Sequence, residues 1–167
     1  SGMVPREDRA EVMEFSSPFN TDGYQCVVIH KDDADAYKTL EDFDGKPVLA
    51  QNGSLQQNLV TDQLPGAKMD LVTNVGEGAM MVKTKKADGI AMAGIVAELY
   101  CKSYPELMVV PAHFAYESVG TVVGVVKGEI ALLDAINPIV EKAEADGLYA
   151  QWREDALTLA ASQMVSE

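Results

Sequence analysis

Short apolar runs recur along the middle of this 167-residue chain, each followed by a polar turn and a stretch with apolar positions at helical spacing. The runs at 47–51, 69–73, 88–92 and 107–111 predict buried strands, and 54–64, 75–86 and 94–102 predict the helices between them. Pro65-Gly66 stops the first of those helices. Another strand is predicted over 23–29, then a polar loop at 31–35 and one helical turn at 39–43. Strand and helix alternating on this scale predict an α/β protein built of βαβ units with a largely parallel sheet. Ahead of this region, Pro5 opens a short helix over 6–12 with acids beside it, as helix starts prefer. Pro18 then ends a short strand, because it has no N–H for a ladder. Beyond the alternating region, 120–126 reads as strand and 129–146 as helix. After Gly147 a last helix runs from about 148 to 162.

One stretch carries candidate chemistry. Pro47-Val-Leu-Ala50 is a strand, Gln51-Asn-Gly53 a turn, and Ser54 opens a helical pattern. Serine is a favoured N-cap, since its oxygen accepts from first-turn N–H groups. Gly53 lets the backbone come close to a ligand. The unpaired N–H groups and the positive helix end together suit an anion, although an ordinary strand-to-helix turn has the same local sequence.

Composition narrows the classes. The formal charge of −13 argues against nucleic acid, whose phosphates need excess Lys and Arg. Apolar residues at 47% and charged residues at 23% belong to a globular protein with room for a sizeable core. No run approaches the roughly 18 apolar residues of a membrane span. No secretory leader opens the sequence, so an export signal is either already removed or never existed. Cys26 and Cys101 read as free thiols, though one disulfide would be permitted.

Several constellations fall short. His30 and His113 lack partners at metal-site spacing, and Asp32, Asp33 and Asp35 miss the calcium-loop pattern. Gly76-Glu-Gly78 lacks the third glycine of a dinucleotide loop, and no nucleophile elbow is present. No cofactor, metal or catalytic residue is therefore assigned. Asn52-Gly-Ser54 matches a glycosylation sequon but reads better as the site turn. Met80, Met81 and Met92 read as core, and Tyr24, Phe19 and Phe114 as packing that could also line a cleft.

Ser1-Gly-Met-Val-Pro-Arg-Glu-Asp-Arg9 followed by Met13-Glu-Phe-Ser-Ser-Pro-Phe19 resembles a run found in extracytoplasmic solute-binding proteins. The family is the polar amino-acid-binding one that feeds ABC transporters. The likeness continues through Leu40-Glu-Asp-Phe-Asp-Gly-Lys-Pro-Val48, Ala50-Gln-Asn-Gly-Ser54 and Ala87-Asp-Gly-Ile90. It ends with Val126-Lys-Gly128 and Ala143-Glu-Ala-Asp-Gly-Leu-Tyr-Ala-Gln-Trp152, so it spans nearly the whole chain in order.

The resemblance implies a two-lobed, type II periplasmic-binding-protein fold with solute in the cleft. Residues 1–20 would end lobe 1 and carry the first hinge strand. Residues 21–114 would be the complete lobe 2, and 115–167 the second hinge strand and C-terminal helices of lobe 1. The N-terminal βαβ elements of lobe 1 have no counterpart here, and the apolar faces they would cover predict that the chain oligomerises, exchanges elements or is a piece of a longer one.

By the same analogy Arg9 clamps the solute carboxylate with its guanidinium fork, and Arg6 is the lesser candidate. Gly2 and Val4 would offer backbone groups, Val4 having no hydroxyl to give. Ser54 and the N–H of Leu55 would meet the same carboxylate beside Gly53, and Gln51 would face the solute's side chain. Met92 and Ala93 stand where amino-acid binders place an Asp for the solute's ammonium. Here no carboxylate follows, so three alternatives stay open: the solute lacks the amine, lobe 1 residues with no counterpart here read it, or another acid (Glu98, Glu77 or Glu117) reaches in. The implied function is the solute-binding component of an ABC importer, extracytoplasmic, peripheral to the membrane and compatible with a lipid anchor. Its partners would be a small carboxylate solute and a permease. Two other readings stay open on this fold: a ligand-sensing or accessory domain of a receptor or cell-wall enzyme, and a periplasmic dehydratase of cyclic acids using Glu98 as general acid.

Overall fold

The computed structural model describes residues 3–5, 7–20 and 23–164, with the side chains among them except those of residues 8 and 161–164. In chain order the elements are α1 (Glu7–Ala10), β1 (Met13–Phe15), β2 (Gln25–His30), β3 (Pro47–Gln51), α2 (Leu55–Gln63) and β4 (Lys68–Val72). There follow α3 (Val75–Lys83), β5 (Gly89–Ala93), α4 (Gly94–Ser103), β6 (Leu107–His113), β7 (Gly124–Val126), α5 (Ile130–Ala145) and α6 (Leu148–Met164). The chain divides into two compact units, one formed by 1–22 with 118–167 and the other by 23–117.

The second unit is a five-stranded sheet in the order β4-β3-β5-β2-β6. The βαβ steps give parallel pairs β3–β4 and β3–β5, as the alternation predicts. The largely parallel reading needs one correction. β2 runs antiparallel to both of its neighbours, β5 and β6. It is not reached by a crossover helix, so nothing forces it into the common direction. All six of its residues are buried, the expected state of a central strand covered on both faces. On one face Val27, Ile29, Val48 and Ala50 pack with Leu59 and Val60 of α2 and with Phe43 and Tyr37. On the other, Cys26, Val28, Leu49 and Ile90 pack with Ala79 and Val82 of α3 and Ala97 of α4.

Pro111 lies inside β6 rather than ending it, and the strand continues to His113. β6 is an edge strand, where a missing N–H costs no ladder bond. The predicted loop and helical turn at 31–43 contain two short 3-10 turns, Lys31–Asp33 and Glu41–Phe43.

In the first unit the helix expected over 6–12 is only α1, because the backbone turns at once into β1, paired with β7. The strand expected over 120–126 is likewise confined to β7. Its earlier residues pair piecemeal, Thr121 with Phe19 and Val122 with Met3, while the Ser16 hydroxyl oxygen accepts from the Val123 N–H at 3.0 Å. α5 carries Pro138 in its interior. Both Pro138 and Asp134, whose carbonyl would lack an N–H donor, are exposed, so water can serve it. Asn137 beside it accepts from the Ser17 N–H at 2.9 Å and ties α5 to the segment after β1. α5 leaves Leu132, Ala135 and Ile139 exposed on one face, and α6 leaves Trp152, Ala156 and Leu159.

Candidate functional site

Strand direction decides where the chemistry gathers. β3, β4, β5 and β6 end at one edge of the second unit's sheet, and β2 starts there, with Gln25 opposite Ala93 and Cys26 opposite His113. Helices α2, α3 and α4 all begin at this carboxyl edge, where ligands bind in open α/β sheets.

The start of α2 is a built cap. The Ser54 hydroxyl oxygen accepts from the Gln57 N–H at 3.2 Å, and the Gln57 side-chain oxygen accepts from the Gly53 N–H at 2.7 Å. This reciprocal pair is a close variant of a capping box. Gly53 holds φ +70°, a conformation that favours glycine. The N–H groups of Leu55 and Gln56 have no acceptor within the helix, and the Ser54 hydroxyl still has its proton to donate. Three donors therefore converge at the positive end of α2, an arrangement that suits a carboxylate.

The other predicted positions fall variously. Gln51 ends β3 with its side-chain amide donating to the Thr73 carbonyl at 3.2 Å. Met92 is buried in the core, so only its backbone faces the edge. Ala93 ends β5, and α4 begins after it with no side-chain cap. Glu77 accepts from the Thr73 hydroxyl at 2.8 Å beside the Asn74 cap of α3, which occupies it at its own helix start. Glu98 accepts from the Tyr24 hydroxyl at 2.8 Å, and Tyr24 stacks on His113 with centroids 4.2 Å apart. Burial first, then the Glu98 hydrogen bond, pushes the Tyr24 phenol up to about 12.

Arg9 belongs to the first unit. It is half-buried on α1, with Nη1 donating to the Val4 carbonyl at 3.0 Å. That bond occupies the Val4 carbonyl and leaves the rest of the guanidinium fork for a second partner. Gly2 and Arg6 lie outside the described residues.

Two residues of the edge escaped the sequence reading. Gln25 is fully buried, and its side-chain oxygen accepts from the Gln56 amide at 2.6 Å, joining β2 to the first turn of α2. The available signal was a glutamine heading an apolar strand, on the same face as Val27 and Ile29. A buried amide there needs partners. A recess of about 330 Å³ lined by Leu40, Phe43, Gln63, Leu64 and Ala67 lies at the opposite, amino edge, away from these groups. Among the described residues no three His, Cys, Asp or Glu side chains gather to hold a metal. Cys26 and Cys101 are both free thiols, and burial pushes the Cys26 thiol up to about 12.

No protein-family model matches the chain. It is 28% identical over 152 residues to the ABC transporter arginine-binding protein 1 of Escherichia coli (strain K12), an overlap of 89% of this chain and 61% of that one. The chain thus spans less than two thirds of that curated relative. Its fold is similar to an amino acid ABC transporter substrate-binding protein from Streptococcus pneumoniae Canada MDR_19A bound to L-arginine. There the TM-score is 0.88 at 24% identity, over 96% of this chain and 67% of the other. An ancestral arginine-binding protein bound to glutamine is 31% identical with a TM-score of 0.80, over 92% of this chain and 68% of its own. The architecture is accordingly that of type II periplasmic binding proteins, about two thirds of one, and the chain belongs to the family of amino-acid ABC transporter substrate-binding proteins.

Proposed function

We propose that this chain is the solute-binding component of an ABC importer and takes a small carboxylate-bearing solute, an amino acid or a related compound. The observation that carries the reading is the start of α2, where the Ser54 hydroxyl and the N–H groups of Leu55 and Gln56 converge at a positive helix end. In this reading residues 21–114 are the complete lobe 2, and 1–20 with 115–167 belong to lobe 1. In the same reading Arg9 is the charged fork for the solute carboxylate. A permease partner and an extracytoplasmic location belong to the same reading, which the likeness to ABC transporter substrate-binding proteins supports. No helix among the described residues is long and apolar enough to cross a membrane.

A thermal-shift screen of amino acids and simple carboxylates tests the reading, since a ligand bound only to the folded state raises the melting temperature by mass action. Ser54→Ala removes one hydroxyl donor and should weaken binding about tenfold, near 1.4 kcal/mol. It also weakens the cap, so the ligand-induced shift is compared, not the unliganded melting temperature. A panel with no hits, or a variant that responds like the parent, would sink the proposal.

We also propose that the bare faces of α5 and α6 are an association surface for a second copy of this chain. Among the described residues, every large exposed apolar side chain except Leu71 belongs to the unit that holds these helices. Light scattering should return a mass above the 18.0 kDa of one chain, and a monomer at high concentration would refute it.

A further inference from the structure

At the end of β5 the carboxyl edge lacks an anion. Residue 93 is alanine, and a solute ammonium brought there with no carboxylate would be costly to desolvate. Beside Ala93 stands Tyr24. Its carbonyl accepts from the Gly94 N–H at 2.8 Å, which lays the residue against the first turn of α4. The fit is close: a Cβ on residue 94 would lie 2.4 Å from Cζ of the Tyr24 ring. His113 stacks on the ring at an interplanar angle of 16°, so the ring is held by residues of α4 and β6.

A ring held in this way fixes its hydroxyl, which donates to Glu98 Oε1 one helical turn into α4. The phenol proton is committed to that bond. The phenol oxygen and Glu98 Oε2 remain as acceptors, and Glu98 is exposed. Among the described residues no basic side chain forms an ion pair with Glu98. An exposed acid of this kind adds little to folding, and the ring is already placed by Gly94 and His113. With both ring faces covered, by Gly94 and His113, what the pair offers is a carboxylate held in place by the phenol, and it is that negative charge that attracts a cation.

We infer that Glu98, held by Tyr24, is the specificity-determining residue for a cationic group of the solute, serving from α4 where residue 93 cannot. The inference rests on the reading that the solute binds at this edge. Its test is calorimetric titration of the full chain with L-glutamine and L-arginine. Each is set against an acid of matching length without the cation, glutaramate and pentanoate respectively. Glu98→Gln keeps an acceptor for the Tyr24 hydroxyl while removing the charge, so the ring stays in place. The expected result is a tenfold or greater loss for the cationic solute that binds, with no loss for the cation-free acid. Two results overturn the inference: Glu98→Gln binding both classes like the parent, or weakening both equally as a structural residue would. A parent protein that prefers the cation-free acid overturns it too. Silence of the parent toward all four probes defeats the underlying reading, and Ser54→Ala would then be silent as well.

Discussion

Phe43→Ala should lower the stability of the 23–117 unit by about 3–5 kcal/mol, the usual loss for a large aromatic side chain removed from a core. Phe43 comes from a short 3-10 turn outside the regular elements, yet it is fully buried. Its ring stacks on Tyr37 with centroids 4.5 Å apart, an aromatic pair that adds about 0.5–1.5 kcal/mol beyond area burial. The far side of the ring meets β5, where a Cβ on Gly89 would lie 3.1 Å from Cε1. The backbones of the turn and the strand are both committed, so the site has little room to collapse around a cavity. Since whole domains are stable by only about 5–15 kcal/mol, the variant should unfold at far lower urea than the parent. Far-UV circular dichroism measures this, and a loss below about 1 kcal/mol would show that the turn is not a structural wedge.

Arg9→Ala should weaken binding of a carboxylate solute about 100-fold, or nearly 3 kcal/mol. Charge-assisted hydrogen bonds are worth about 1.5–3 kcal/mol each, and a guanidinium can make two in parallel. Arg9→Lys should recover only part of the loss, because an ammonium keeps the charge and loses the fork. The Arg9 bond to the Val4 carbonyl gives the side chain a structural use as well. The unliganded melting temperature separates the two: a structural role lowers it in both variants, whereas a binding role lowers the ligand-induced shift. Binding within twofold of the parent in Arg9→Ala would end its assignment as the clamp.

What the sequence revealed follows the range of the interactions. The Ser54 cap was legible because its partner is three residues away, and strand alternation because it repeats locally. The direction of β2 was not, since a strand's orientation depends on which partners it meets and no crossover helix leads into it. The Gln25–Gln56 and Tyr24–Glu98 bonds join residues 31 and 74 apart, distances at which no local pattern operates. The over-long strand at 120–126 misled for a related reason. Its apolar run is real, but its partners are three separate short segments, and an apolar pattern does not count partners.

The reversed central strand also has a consequence for synthesis. β2 is complete once His30 has left the ribosome, but its ladder partners end at Ala93 and His113. A wholly buried segment therefore waits, unpaired, while about sixty further residues are translated, and is covered on its other edge only after about eighty. The two closures that finally seat it are long and correspondingly slow. The charged run Lys31-Asp-Asp-Ala-Asp35 that directly follows is well placed as a gatekeeper, keeping nascent chains from pairing through that strand before their own sheet can form.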